Sequence, residues 1–485
     1  MADLLSIGKT GLFASKKSLE TTGHNLANAN TEGFSRQRVI QQTGIPIVKG
    51  GLIHGTGSRI KNVVRIHNEH VEKKLHDATS EHSFFKEKAF QLAQVEDVFN
   101  EINQDGLNKV LNKFFNSFRE LGNQPENETI RSYVRDNAKL VLKDFKRIKT
   151  TLDSIDKNIS RKVQANVVAI NQIITNVATL NKKIATSESS SDEASDLRDS
   201  RDNKINQLSE FFQTKVYSDG KGRYVVSAEG VGTLVAGGEA QLLAVGGDNR
   251  TGSEPDGRMH VYFKNRPSYP FTNKIKKGEL AAMIAVRDQD IGQLRKNVDL
   301  VAFEFINTVN AIHRRGYVNR QVKLDPQGKA IDNNKNHPIN GINFFAVPKE
   351  LKNISENIAL SKEVLADLSN ITTAMSPNSP GDNRIALAIS KLQSEKILDN
   401  GTTTLEEKYL QSIGTIGLIS GKAKLNADQS HGILNQTKSV KERFSGVSID
   451  EEAANMVRYQ HAYDASAKVM KTAEEMFQTV LSIKR

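Results

Sequence analysis

Four histidines, His67, His70, His76 and His82, stand close together in the chain. Imidazoles three residues apart share a helix face, so His67 and His70 could hold a metal ion between them. The spacing fits no ligand motif and places no third ligand beside them, so a solvated helix with incidental histidines is expected. Asp196, Asp199 and Asp202 recur in DLRDSRDNK. A cation could sit there, but Arg198, Arg201 and Lys204 interleave with them, and a polar, ion-paired helix face is expected. The glycine-rich runs GKGRY and GVGTLVAGG lack a phosphate-loop ending and the strand–GxGxxG–helix setting; hairpin turns account for them. No GxSxG elbow or HExxH pair occurs. Cysteine is absent, which excludes disulfides, thiolate metal sites and a cysteine nucleophile. The expectation is no catalytic residue, no metal, no cofactor and no enzyme.

Composition narrows the remaining classes. A chain of 485 residues is too long for one ordinary core. The net charge of +11 is scattered rather than gathered into a basic block, which argues against nucleic acid as a partner. No apolar run is long enough to span a membrane, and the first residues lack the apolar core of a cleaved secretory signal.

The elements that would position any function are mostly helices. Leucine recurs every seventh residue at Leu5, Leu12, Leu19 and Leu26. Near the end Met456, Tyr463, Met470 and Phe477 keep the same interval, with Tyr459, Ala473 and Val480 on the adjoining seam. Such a repeat specifies a helix that packs along another helix. The two ends therefore read as partners, with the leucines as the first helix's seam. Gly8, Gly11, Ala14 and Ser15 flank that seam and admit a close neighbour, although each helical glycine costs about 1 kcal/mol. The C-terminal stretch AANMVRYQHAYDASAKVM spreads small and apolar groups over more than one seam, so one of its partners is expected to be another subunit. After the first helix, Asn25, Asn28, Asn30, Gly33 and Phe34 fall in a turn, where Gly33 lets the chain change direction.

Between the ends, long helices are expected over 68–121, broken at Asp105-Gly106, and over 127–187, with a shorter one over 197–212. Near 215 the period changes to β, with hairpin turns at Asp219-Gly220 and Glu229-Gly230. Helix returns over 278–313 and 383–440. Ser448 caps the last helix, with Glu451 in the capping-box position. The expected fold is mainly α with an inserted β domain: an elongated multi-helix bundle, a terminal α-helical coiled coil and a small all-β outer domain. The expected domains are a terminal coiled-coil domain of 1–66 and 441–485, with an extended arm at 36–66; a helical bundle of 67–213, 276–315 and 354–440; the β insertion at 214–275; and an irregular or small β excursion at 316–353.

Several long motifs resemble one family. NLANANTEGFSRQRV at 25–39 resembles the N-terminal motif of bacterial flagellar rod, hook and hook-associated proteins. GVSIDEEAANMVRYQHAYDASAKVMKTAEEMFQTVL at 446–481 resembles the C-terminal signature of the hook-associated members. LRDSRDNKINQLSEF at 197–211 and GELAAMIAVRDQDIGQLRKNVDLVAFEFINTVNAIHRRG at 278–316 resemble their internal helices. The resemblance to this axial protein family covers nearly the whole chain, in order. It implies a structural subunit at the junction zone between hook and filament, needed for flagellum assembly and motility. The terminal helices would form the inner wall of a ring or tubular zone of roughly eleven subunits. Leu5, Leu12, Leu19, Leu26, Met456, Tyr459, Tyr463, Met470, Phe477 and Val480 would be the assembly interface. The implied partners are the hook protein, hook-associated protein 3 and a flagellar export chaperone on the C-terminal helix, with no nucleic acid and no membrane insertion. The implied location is extracellular, reached through the flagellar type III apparatus without a cleaved signal peptide. A hook or distal-rod subunit is the alternative within the family. A basic coiled-coil nucleic-acid-binding protein is the alternative outside it.

Overall fold

The structure, a computed structural model, describes residues 2–49, 51–99, 106–188, 193–219, 222–247, 258–327, 330–331, 339–347 and 353–483. It is mainly helical, with long terminal helices and a small inserted sheet, as the sequence predicts. Helix α1 spans Ala2–Ala27. Strands β1 (Gln37–Thr43) and β4 (Ser58–Arg65) pair antiparallel, and between them β2 (Ile47–Lys49) and β3 (Leu52–His54) form a hairpin. Helices α2 (Glu69–Asp97), α3 (Leu107–Asn123), α4 (Glu128–Ser187) and α5 (Ser195–Phe211) follow. The predicted break at Asp105-Gly106 falls just before α3, although Asp105 lies outside the described residues. The insertion contains β5 (Thr214–Ser218), β6 (Tyr224–Ala228), β7 (Gly232–Ala236), β8 (Glu239–Ala240), β9 (Leu243–Gly246) and β10 (His260–Phe263). Then come α6 (Glu279–Ala285), a π-helical turn over Val286–Asp290, α7 (Ile291–His313), α8 (Ile354–Asn357), α9 (Lys362–Ala366), α10 (Arg384–Lys391), α11 (Leu405–Ser445) and α12 (Ile449–Ile483).

The chain forms two compact units, one of Met1–Lys86, Val163–Ala282 and Asn426–Arg485, the other of Glu87–Lys162 and Met283–Leu425. In the first, β5–β8 make a meander, and β9 pairs with β10. The expected turn at Glu229-Gly230 joins β6 to β7, with Gly230 at φ +77°. The turn expected at Asp219-Gly220 lies partly outside the described residues. The core of the second unit is aromatic. Phe114, Phe118, Phe305, Phe344 and Phe345 are fully buried, and Phe344 meets Phe345 edge-on at 4.8 Å between centroids.

Asparagine side chains stand in for missing β partners at several places. Asn310 donates to the Phe345 carbonyl and accepts from its N–H, at 3.0 and 2.8 Å. Asn171 does the same for Leu243, and Asn378 for Val322. Each amide satisfies one backbone donor and one acceptor that burial would otherwise penalise.

One expectation fails here. The helix expected over 383–440 is interrupted between α10 and α11. Asp399, Asn400 and Gly401 take successive positive φ values of 50, 60 and 82°. Three left-handed residues in a row cannot continue a helix. Thr404 and Glu407 then start α11 with a reciprocal capping box, a signal in the sequence that helical periodicity hid. The region 316–353, expected to be irregular or a small β excursion, has only isolated bridges among its described residues, such as Tyr317 with Asn340 and Leu324 with Ala330.

His313 ties this irregular segment down. Its Nδ1 donates to the Ile342 carbonyl at 2.7 Å, and its Nε2 accepts from Thr372 N–H at 3.0 Å. That pattern requires the neutral ring. Burial lowers its pKa to about 4. The unfolded chain binds a proton near pH 6.5, so the stability His313 contributes is complete above that pH and is lost as pH falls toward 4. His76, also held at about 4 by burial, adds a slope of the same sign. Denaturant titrations of wild type and H313F from pH 7 to pH 4 should show a shallower pH dependence in the variant, with His76, His67 and His82, all lowered by burial, still contributing. At pH 7, H313F should cost about 1–3 kcal/mol through the unpaired backbone groups.

Candidate assembly interface

The terminal helices pack antiparallel. Gly8 lies against Met470, Gly11 against Ser466, and Asn25 bonds Glu452. As one number rises the other falls, so a single register holds along the pair. A Cβ on Gly8 would stand 2.7 Å from Met470 Cγ, and one on Gly11 2.8 Å from Ser466 Oγ. These glycines set the distance between the helices.

The seam of α1 is therefore not its leucine stripe. Gly8, Gly11, Ser15, Ser18, Thr22 and Asn25 alternate steps of three and four, and all but Gly11 are buried. Leu12, Leu19 and Leu26 are half-buried beside that seam, and Leu5 is 45% exposed. The heptad is real, but it is a heptad of small residues facing large ones. Met456, Tyr459, Tyr463 and Met470 are half-buried on α12, and Ala473 is buried. Phe477 and Val480 are 55% and 47% exposed. The register explains this: α1 runs out opposite Met476, so the last turns of α12 have no α1 beside them.

The turn after α1 closes the pair at its other end. Asn25 Nδ2 donates to the Gln37 carbonyl, and Asn25 Oδ1 accepts from Gln37 N–H, both at 2.9 Å. The same amide reaches the buried Glu452 at 3.3 Å. Arg36 forks over α12, with Nε 2.7 Å from Glu452 and Nη1 2.7 Å from Glu451. Its N–H donates to the Ser445 carbonyl at the end of α11. Ser448 accepts from Glu451 N–H at 3.5 Å, but the Glu451 carboxylate serves Arg36 instead of closing a capping box. Asn28 donates to the His24 carbonyl, Gly33 takes φ +82°, and Phe34 packs edge-on against His24. Asn30 is exposed.

The aspartates of α5 correct a second expectation. Their main partners are not the cations interleaved on their own helix: the exposed Asp196 meets His24 at 3.3 Å. Asp199 and Asp202 are buried and hold Arg65 of β4 at 2.8 and 2.6 Å. Asp199 also accepts from Ser35 N–H. Burial opposes the charge on Arg65, yet the two carboxylates raise its pKa. Arg198 turns to Glu188, and Arg201 stacks on the Tyr224 ring. Sequence reasoning could not find Arg65 as the partner, because the pairing is long-range. Among the described residues, no group of His, Asp or Glu is arranged to hold a metal ion.

Comparison with known proteins decides what this arrangement belongs to. A family model described as the flagellar hook-associated protein FlgK helical domain matches residues 92–326. Another, the flagellar basal body rod FlgEFG protein C-terminal, matches 443–483. The chain is 29% identical to flagellar hook-associated protein 1 of Bacillus subtilis, over 99% of this chain and 97% of that one. It is 22% identical to the proteins of that name from Salmonella typhimurium and Escherichia coli, over the full length of each. This chain belongs to the flagellar hook-associated protein 1 family. The flagellar hook junction protein FlgK from Burkholderia pseudomallei shares its fold, with a TM-score of 0.61 at 14% identity, covering 78% of this chain and all of that one. For a member of the hook-associated protein 1 family, the paired termini are the natural place to look for function.

Two substitutions probe the geometry. G8L puts a branched side chain where even a Cβ is too close, so α1 and α12 should part. Loss of far-UV helicity and new protease cleavage in the first and last forty or so residues would report it. R65M leaves Asp199 and Asp202 buried without their cation and should cost about 3–5 kcal/mol in urea unfolding.

Proposed function

We infer that this chain is a structural subunit of the bacterial flagellum, placed at the junction between hook and filament. The observation that carries the reading is an incomplete helix pair. α1 and α12 close tightly on each other, while Leu5, Phe13, Phe477 and Val480 stay open to solvent. Large apolar groups left exposed on terminal helices are covered by neighbouring copies. Each large group that becomes fully buried adds about 1.5–3 kcal/mol to assembly. Copies close into a ring or tubular zone of roughly eleven. Hook protein lies on one side of that zone and hook-associated protein 3 on the other. Before assembly an export chaperone covers the C-terminal helix, for which the apolar overhang of Met476, Phe477, Val480 and Leu481 is the handle. The chain leaves through the flagellar type III apparatus without a cleaved signal and works outside the cell.

A second reading, a hook or distal-rod subunit, draws support from the rod-protein match at 443–483. Position separates the two. Immunogold labelling of isolated hook–basal bodies should give one band at the distal end of the hook; label along the hook or in the rod would favour the second reading. In cells, L5D combined with F477D should leave export intact but abolish swimming, with free hooks and shed filament protein in the medium. Normal swimming by that variant would remove the terminal helices from the assembly interface.

A further inference from the structure

Two features of the first compact unit are each incomplete in a complementary way. One is the β2–β3 hairpin. Its strands are three residues long, and Ile45, Ile47, Val48, Leu52 and Ile53 are all exposed, Val48 at 71% and Ile53 at 76%. A two-stranded hairpin is marginal in water by itself, and exposed apolar strands with open edges are normally covered.

The other is β5, the edge strand of the meander. Glu229 N–H donates to the Gln213 carbonyl and Asp219 N–H to the Arg223 carbonyl. The odd-numbered residues of β5 therefore face β6, and the N–H and C=O groups of Thr214 and Val216 point away from the sheet. No backbone group pairs with them among the described residues. Elsewhere an asparagine amide covers such groups, as Asn171 does at Leu243. At β5 there is instead a groove of about 740 Å³. Thr214 and Val216 line it from one face of the sheet, Lys215 and Tyr217 from the other, so it follows the strand edge. Its far wall is the start of α2, where buried His76 Nε2 and Glu72 Oε2 have no hydrogen-bond partner.

The charges also match. Five carboxylates line the groove, those of Glu69, Glu72, Asp77, Asp202 and Glu229, against two lysines, Lys73 and Lys215. Three of the five already have cations, Lys441, Arg65 and Lys215. The hairpin segment 44–57 carries Lys49 and no acid.

A chain cannot fill its own groove. β1 starts at Gln37 beside Asn25 and runs toward the start of α1, where Gly57 lies against Ile7 and Thr10. The hairpin continues in that direction. The groove is lined by Asp202 and Ile205 of α5, whose Asp196 meets His24 at the opposite end of α1. At 1.5 Å per residue, Ile7 and His24 are ~25 Å apart along the helix.

We propose that the β2–β3 hairpin of one copy adds to the β5 edge of a neighbouring copy, so that adjacent subunits share a continuous sheet. This rests on the reading that the chain self-assembles, and it names one contact of that assembly. Backbone hydrogen bonds supply the attachment, and the groove walls select an apolar, basic hairpin.

The absence of cysteine makes the test clean. Flagella are purified from cells carrying the full chain as Y217C combined with V48C or with I53C, oxidised mildly and run on non-reducing gels. At least one double variant should give covalent multimers, and each single variant only monomer. Adding V216P, which removes an N–H unused within the sheet, should cut the multimers about tenfold while the thermal midpoint of the purified chain holds. Monomer alone from both double variants, in flagella that contain the protein, overturns the shared sheet and leaves the junction reading standing. Absence of the chain from flagella overturns both.

Discussion

The rest of the molecule depends on how closely α1 and α12 approach. Gly8 and Gly11 allow Met470 and Ser466 to sit almost on the α1 backbone. That distance decides which side chains are enclosed and which remain outside. With small residues on one helix and large ones on the other, the pair encloses its seam without using the leucines. The apolar surface that a conventional leucine seam would consume is thereby left partly exposed beside the pair.

The same economy governs the turn that joins the helix pair to the strands of the arm. Asn25, Arg36 and Glu452 link α1, β1 and α12 through directional bonds, and Arg36 adds the end of α11 through its N–H. Arg65 then fixes β4 to α5 through two buried carboxylates. Buried charge is a poor source of net stability, because desolvation offsets most of the attraction. Its value is specificity: an arm of strands with little core of its own can be held in one orientation only by contacts that no other register satisfies. The asparagine amides at Leu243, Phe345 and Val322 serve the same end in both units, trading weak apolar packing for paired backbone groups.

Much of this was legible from residues alone. The heptads at both ends, the long rods of α2 and α4, the change of period near 215 and the cap at Ser448 all come from local spacing and turn chemistry. The family motifs at 25–39 and 446–481 led to the right family. The misreadings have a common cause. The aspartates of α5 looked paired along their own helix because their local neighbours are cations, yet the partner of Asp199 and Asp202, Arg65, comes from a distant strand. The break before α11 was hidden because Asp399, Asn400 and Gly401 occupy too short a stretch to disturb a helical periodicity. His76 looked incidental, and burial is what gives it consequence.

By itself the sequence determined that the two ends are helices with seven-residue repeats, that the middle is helical with a β insertion, and that the chain is a flagellar axial protein of the hook-associated type. A repeat constrains the spacing of a seam but not the rotation of the helix about its axis. Only the tertiary structure decided that glycine and serine face inward on α1 and leucine faces aside, because that choice depends on the volume α12 brings to the contact. Only it decided that α12 outruns α1, since the overhang results from an antiparallel register set by Asn25 and Glu452, residues separated by most of the chain.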